Sequence, residues 1–301
     1  MDMVVLIAIG LLTGATTVLF GFGGGFVAVP VVVWADTALG TEAIRVATAT
    51  SALVMLVNAA FATAVTPRHV LRALRGTGPL LPLLAAGACL GACATRFAPP
   101  ALVRWAFVGY VALTALDLLL RPGFLRPATR PEPAAGNAST RPGEGGADAA
   151  TRSDAGEADS ATRPGEGKAD AGRPLPATTG LPIGAVAAFL GVGGSVMTVP
   201  AMRRAGHPMR HATALANPLT LAIALPAALV SLAGSPPLAA ATTHSGLVGL
   251  VDPYAAAALL LGAVPVIALL RRRPPRIPDR AHAWSYIGLL TVVALAMLLR
   301  S

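Results

Sequence analysis

Of 301 residues, 54% are hydrophobic and 12% charged, against roughly 25% charged in an average soluble domain. This excludes an ordinary soluble enzyme and places the chain in the membrane class. The net charge of +9 rests almost wholly on Arg, with Lys168 the lone lysine. The Arg residues sit in short connections between apolar runs, as topology requires, and aromatics are only 5%, so nucleic acid is not an expected partner and membrane lipids are.

In chain order, apolar runs occupy about 3–34, 47–65, 78–97, 101–120, 181–202, 212–233, 253–270 and 283–299. A membrane span takes about 20 residues, so the expected fold is all-α and integral to the membrane, with about eight transmembrane segments. The N-terminal stretch has Asp2 and no basic side chain. It therefore lacks the positive n-region of a signal peptide and is expected to be retained. Cys89 and Cys93, four apart in the run 78–97, read as small packing residues of a membrane helix.

Residues 122–175 break the pattern with Pro, Gly, Ala and charge, and hold a tandem repeat of eleven residues starting at Thr140, Thr151 and Thr162. With no apolar seam, such a segment cannot offset its ordering entropy, and a disordered linker is expected there. It divides the chain into 1–121, 122–175 and 176–301. The flanking parts resemble each other. GATTVLFGFGGGFVAVP from Gly14 answers GAVAAFLGVGGSVMTVP from Gly184, and Gly21, Gly23, Gly24 and Pro30 each recur 170 positions on. Ala47-Thr48 answers Ala212-Thr213. Two homologous repeats are a frequent architecture of secondary transporters.

Each repeat opens on G-x-G-G-[GS] inside an apolar run. It is not a nucleotide fingerprint, because Phe26 and Val196 stand where the third glycine would be and no Lys-Ser or Lys-Thr pair follows. Consecutive glycines each destabilise a helix by up to about 1 kcal/mol relative to Ala, so a helix break, re-entrant in form, is expected within the bilayer. Broken backbone is tolerated there only against protein or a watery cavity, and a helix restarting after it aims free N–H groups at anions. The candidate substrate-binding residues are therefore Gly21, Gly23, Gly24, Gly25, Gly191, Gly193, Gly194 and Ser195. To these are added the hydroxyls and amide opening the next helix, Thr48, Thr50, Ser51, Thr213 and Asn217, with Asn58 two turns after Ser51. Such groups can replace the hydration of an oxyanion.

Arg45, Arg210 and His211 flank these helices, and Asp117 reads as an interfacial residue. No His–carboxylate set has metal spacing and no nucleophile elbow occurs, so neither metal, cofactor nor catalysis is expected. Loop charges favour opposite sides for equivalent connections. Arg68, Arg72 and Arg75 fill 66–77, whereas 234–252 has only Asp252; 36–46 holds Asp36, Glu42 and Arg45, whereas 203–211 holds Arg203, Arg204 and Arg210. Inverted repeats would explain this.

Gly21–Pro30 and Gly191–Pro200, with Ala47-Thr48 and Thr50-Ser51 following, resemble the sulfite exporter TauE/SafE family of membrane permeases. RHVLRALRGTGPLLPLLAAGACLGACATRFAPPALVRWAF and GLVGLVDPYAAAALLLGAVPVIALL are similar to later helices of that family. The resemblance spans the chain except 122–175, and departs from the family in Ser195 for a third glycine and in the long linker. It implies a multi-pass permease of the cytoplasmic membrane moving a small anion, of the sulfite or organosulfonate type; with the duplication and no nucleotide motif, secondary transport is expected, and coupling to protons or another ion is left open. A passive anion channel on the same scaffold and a non-transporting assembly protein are the alternatives; oligomeric state is left open.

Overall fold

The run 3–34 is one stretch of apolar sequence but two helices, because three of its glycines take backbone conformations closed to most residues. In the computed structural model φ is +75° at Gly21, +64° at Gly23 and +85° at Gly24, the left-handed region that costs an L side chain about 1–2 kcal/mol. Helix α1 (Met3–Phe20) stops there and α2 (Gly25–Ala35) starts afresh. In the second half α6 (Gly180–Leu190) ends on Gly191 at φ +68°, and α7 (Ser195–Arg204) starts just beyond Gly193 at φ +71°. The Gly191 and Val192 N–H groups return to the carbonyls of Ala188 and Ala187, the paired bonds of a Schellman cap.

The remaining helices are α3 (Ala43–Ala64), α4 (Leu80–Phe97), α5 (Pro100–Leu120), α8 (Met209–Leu232), α9 (Pro253–Arg272) and α10 (Asp279–Leu298), with short turns at Arg68–Leu71 and Ala177–Thr179. The structure describes residues 3–35, 42–71, 78–120, 177–204, 209–234, 246–273 and 277–299. The expected linker 122–175 lies outside the described residues. The described helices of both halves belong to one compact unit. Among the described residues the only β-structure is an isolated bridge between Val248 and Val251.

Among the described residues seven helices, α1, α3, α4, α5, α8, α9 and α10, are long and apolar enough to cross a membrane. The expectation of about eight segments took each of the runs 3–34 and 181–202 as one. Both are divided at their glycines, which leaves α6 and α7 at 11 and 10 residues, about half a hydrocarbon core in length. Large apolar side chains face outward along the long helices, among them Leu113 and Val292 at 68% and 62% exposure. Water would penalise that surface and lipid does not. All three tryptophans, Trp34, Trp105 and Trp284, are exposed near helix ends, where membrane interfaces favour them.

Small residues set the packing. α1 lies against α9 and α4 against α6, in both cases backbone to backbone. A Cβ on Gly10 would meet Leu259 and Gly262, and one on Gly14 would meet Ala263. Gly180 faces Leu80, Gly184 faces Leu84 and Ala88, and Gly91 faces Ala185. In each pair residue numbers rise together, so the partners run in the same direction. Cys89 and Cys93 do not join this packing. They are exposed on the other side of α4, and Gly87 and Gly91 are the residues that make the contact.

At the centre α3 packs on α8. The start of α3 (Arg45, Thr48, Ala49) shares a cleft with the end of α8 (Ala227, Ser231), so these two run in opposite directions. The Asp252 N–H donates to Thr50 Oγ1 at 2.9 Å, and the Asp252 carboxylate caps α9 by accepting from the Tyr254 and Ala255 N–H groups. α9 thus sets out beside the first third of α3 and runs along it. Since α1 runs with α9, α1 and α3 point the same way, and α2 must return toward the end from which α1 came. By the same reasoning α6, α4 and α8 share the opposite direction and α7 returns.

Glycine at the crossing points is the sequence property these pairings need. Gly14→Val and Gly184→Val should each destabilise the protein by about 1–3 kcal/mol through overpacking. Gly109→Ala and Gly288→Ala, where a Cβ meets nothing within 4 Å, should not. Thermal unfolding of the four variants in detergent checks this.

Candidate functional site

The two breaks meet each other across α3 and α8. A Cβ on Gly21 would stand 2.8 Å from the Thr213 carbonyl and 2.9 Å from the Ala216 methyl. The equivalent Gly191 faces Thr48 and Ser51, both at 2.8 Å. Gly23 faces Thr220 and Met55; Gly193 faces Met55, Thr220 and the carbonyl of Phe22. Each break is therefore seated on the long helix of the other half, and Met55 and Thr220 lie where both breaks converge. Phe22 and Val192, the residues inside the motifs, are fully buried.

Side-chain hydrogen bonds hold this arrangement. The Ser51 hydroxyl lies within reach of the carbonyls of Thr48 and Gly191, at 2.8 and 3.1 Å, and Thr220 Oγ1 donates to the Gly21 carbonyl at 3.4 Å. Thr95 donates to the Phe189 carbonyl near the end of α6 at 2.9 Å. On α7, Pro200 has no N–H to offer the carbonyl of Val196, and the buried Tyr286 hydroxyl stands 3.4 Å from it and from the Ser195 carbonyl. Phe20, Phe22, Phe26 and Tyr286 form a run of ring contacts beside the first break.

Of the residues expected from sequence, Gly21, Gly23, Gly191, Gly193, Thr48, Ser51 and Thr213 come together at the two crossings. Gly24 sits apart from them, against Thr13, Thr17 and Asn58, and Gly194 against Ile223 and Ile183. A Cβ on Gly25 would run into the Met55 side chain. Ser195 opens α7 and is fully buried, with no partner for its hydroxyl; Asn217 on α8 is likewise buried and its Oδ1 has none. Thr50 faces Asp252 instead of the breaks. Sequence reasoning passed over Met55, Thr220, Thr13, Thr17 and Thr198. Thr220 is two helical turns beyond Thr213, on the same face, and that spacing could have signalled it.

Among the described residues, four buried uncharged ones, Asn58, Ser195, Thr198 and Asn217, carry side-chain polar atoms without a hydrogen-bond partner. An unsatisfied buried group costs about 1–3 kcal/mol, so each asks for a reason. No basic side chain is among the nearest neighbours of the motif glycines. Cations lie farther out. A small cleft of about 20 Å³ has Thr48, which also meets Gly191, and Arg45 and Arg96 among its walls. Arg45 is held by Glu42 at 3.0 Å and the Ala98 carbonyl at 2.6 Å. At the opposite end the side chain of Arg203 is buried and pairs with Asp279 at 3.1 Å, while Arg204 pairs with Asp117. His282, read from sequence as part of a connection, is buried in the first turn of α10 with a ring nitrogen against the Leu19 carbonyl. His69, His207, His244 and Arg210 lie outside what is described for side chains. Among the described residues no three metal-ligating side chains cluster.

Seven apolar helices clad in lipid-compatible side chains, enclosing two helix breaks lined with small polar groups, describe a multi-pass membrane protein of the transporter class. The family model of the sulfite exporter TauE/SafE matches residues 6–297, nearly the whole chain, and the protein belongs to that family. No curated protein and no solved structure matches it significantly.

The two breaks should differ in tolerance. Gly24 has φ +85° and a Cβ there would crowd Thr13 and Asn58, whereas Gly194 has no positive φ and faces the flexible tip of Ile223. Gly24→Ala should therefore destabilise by about 1–2 kcal/mol more than Gly194→Ala, read as a difference in unfolding midpoint.

Proposed function

We propose that the protein is a secondary permease for a small oxyanion of the sulfite or organosulfonate type, and that the solute binds where the two glycine breaks converge. The observation that carries this reading is the seating of both breaks around Met55 and Thr220, with α2 and α7 starting beside them. Helix N-termini offer unpaired N–H groups and a positive dipole end to an anion. The unpartnered Ser195 hydroxyl at the start of α7 adds a donor able to replace one hydration contact. Arg45 and Arg96 in the cleft supply steering at its mouth.

The two halves act as inverted repeats in this reading. Its support is the exchange of packing partners: α1 with α9 matches α6 with α4, α3 with α9 matches α8 with α4, and α2 with α3 matches α7 with α8. The opposite directions of α3 and α8 add to it. The membrane is the cytoplasmic one, as the family resemblance implies.

In proteoliposomes, saturable flux of sulfite or a simple sulfonate, responsive to an ion gradient, is the expected result. Gly24→Leu and Gly194→Leu should abolish it while the protein still inserts. Unsaturable flux would indicate a channel, and no flux of any sulfur oxyanion would sink the substrate class. Single cysteines at Arg68 and Gly246, both exposed, introduced after Cys89 and Cys93 are replaced by Ala, should react with impermeant reagents from opposite membrane faces. Labelling from the same face would contradict inversion.

A further inference from the structure

Helices α5 and α10 each close one half of the chain, and their sequences align at a constant offset. Pro99 and Trp105 recur 179 positions on as Pro278 and Trp284. The buried stripe of α5 is Val103, Phe107, Val108, Val111, Ala115 and Leu118, and each of these has a buried counterpart on α10 at the same offset. Four of the six pairs stay apolar. The other two do not: His282 stands where α5 has Val103, and Tyr286 where α5 has Phe107. Val103 and Phe107 are fully buried, so this stripe closes on hydrocarbon in one half and needs no polar group.

Both polar side chains reach a glycine break. A helix end leaves its last carbonyls without an in-helix donor. At the end of α1 a ring nitrogen of His282 meets the Leu19 carbonyl at 2.5 Å. At the start of α7 the Tyr286 hydroxyl faces the Ser195 and Val196 carbonyls. Phe20 touches both, its ring 5.4 Å from that of His282 and 5.6 Å from that of Tyr286. The second half meets the same need at Phe189, 170 positions beyond Leu19, with the Thr95 hydroxyl at 2.9 Å. A neutral donor is thus enough for that carbonyl. The first half uses an imidazole instead, the side chain whose ordinary charge change falls near neutral pH. Among the described residues, His282 is the one buried side chain of that kind.

We infer that His282 is the proton-binding residue of the permease: its neutral ring takes up one proton as one singly charged anion binds, and gives it back as the anion leaves. The two charges cancel, and no other reactant is needed. Ionisable side chains inside a membrane bundle mark proton relays. The added charge stands at the negative end of the α1 dipole, on a carbonyl two residues before Gly21. His282 lies in the first turn of α10, at the end that carries the Arg203–Asp279 pair, so protons enter from that face. α10 packs on α5, α2 and α8. Of these, α5 carries Tyr110, Asp117 and, at its far end, Arg104; α8 opens with Arg210 and His211; α2 has no titratable group, nor has α1. On α10 itself Asp279 is held by Arg203 of α7, and Arg280 is exposed; Arg204 of α7 holds Asp117. The coupling role rests on the permease reading above; the titration of His282 does not.

The test has two arms and one variant. His282→Gln keeps an N–H donor for the Leu19 carbonyl but cannot take up a proton, so a merely structural role would survive it. In proteoliposomes the wild type should accumulate methanesulfonate or sulfite when the supply side is made acid. His282→Gln should lose that accumulation, falling to the level seen without a pH gradient, while exchange of labelled for unlabelled solute at equal pH persists. Accumulation in His282→Gln equal to that of the wild type would overturn the inference. In the second arm, nitrogen NMR of the purified full chain labelled in histidine, in detergent, should show one ring signal that is absent from His282→Gln and titrates between about pH 5 and 8. A His282 ring that keeps one protonation state across that range would also overturn it. Should His282→Gln not fold, His282→Val, the residue α5 carries at this place, serves both comparisons. A wild type that moves neither solute is a failure of the permease reading and of the coupling role with it, whereas the proton site stands or falls on the NMR titration alone.

Discussion

Backbone that leaves its helix inside a membrane must find its hydrogen bonds in protein, and the architecture is organised around that requirement. Each glycine break exposes the N–H groups of one helix start and the carbonyls of one helix end, in a setting where lipid offers neither donor nor acceptor. The solution is reciprocal. Ser51 of the first half reaches the Gly191 carbonyl, and Thr220 of the second half reaches that of Gly21. Each half thus supplies a side chain to the other's break, and the two halves form one unit.

That reciprocity fixes what surrounds it. α3 and α8 must cross at the centre so that each supports the other half's break. The flanking pairs, α1 with α9 and α4 with α6, must approach closely enough for the glycines to reach these helices, and only residues without side chains at Gly14 and Gly184 permit it. Lipid lies outside, against leucines whose exposure would be a liability in water. Function enters where the scheme leaves groups unmatched. Ser195, Thr198, Asn217 and Asn58 are buried polar residues that the fold does not use in full, and their cost makes sense if a solute or ion completes them.

Much of this was readable in the sequence. The apolar runs marked the long helices, and the contiguous glycines marked the breaks because their left-handed backbone has no substitute. The recurrence at a fixed offset tied Gly21 to Gly191 before any coordinates. What could not be read was which break sits on which helix. Nothing local in Met55 or Thr220 says that they lie at the convergence, since that depends on the opposite directions of α3 and α8. Thr50 shows the converse. Its place beside Thr48 and Ser51 suggested the site, but one residue of helix rotation turns it toward Asp252. The cysteines misled for a similar reason: an i, i+4 spacing defines a face but not whether that face meets protein or lipid. Charge also hid its partners, because Arg203 and Asp279 are far apart in sequence and paired in space.

The central claim is that an oxyanion binds between the two breaks. Selenite, a heavy analogue of sulfite, makes it directly visible by anomalous diffraction from crystals of the protein grown in lipid. The account predicts a selenium peak between Gly23 and Gly193, in reach of the starts of α2 and α7. A peak confined to the cleft beside Arg45 and Arg96, with none at the glycines, would contradict it.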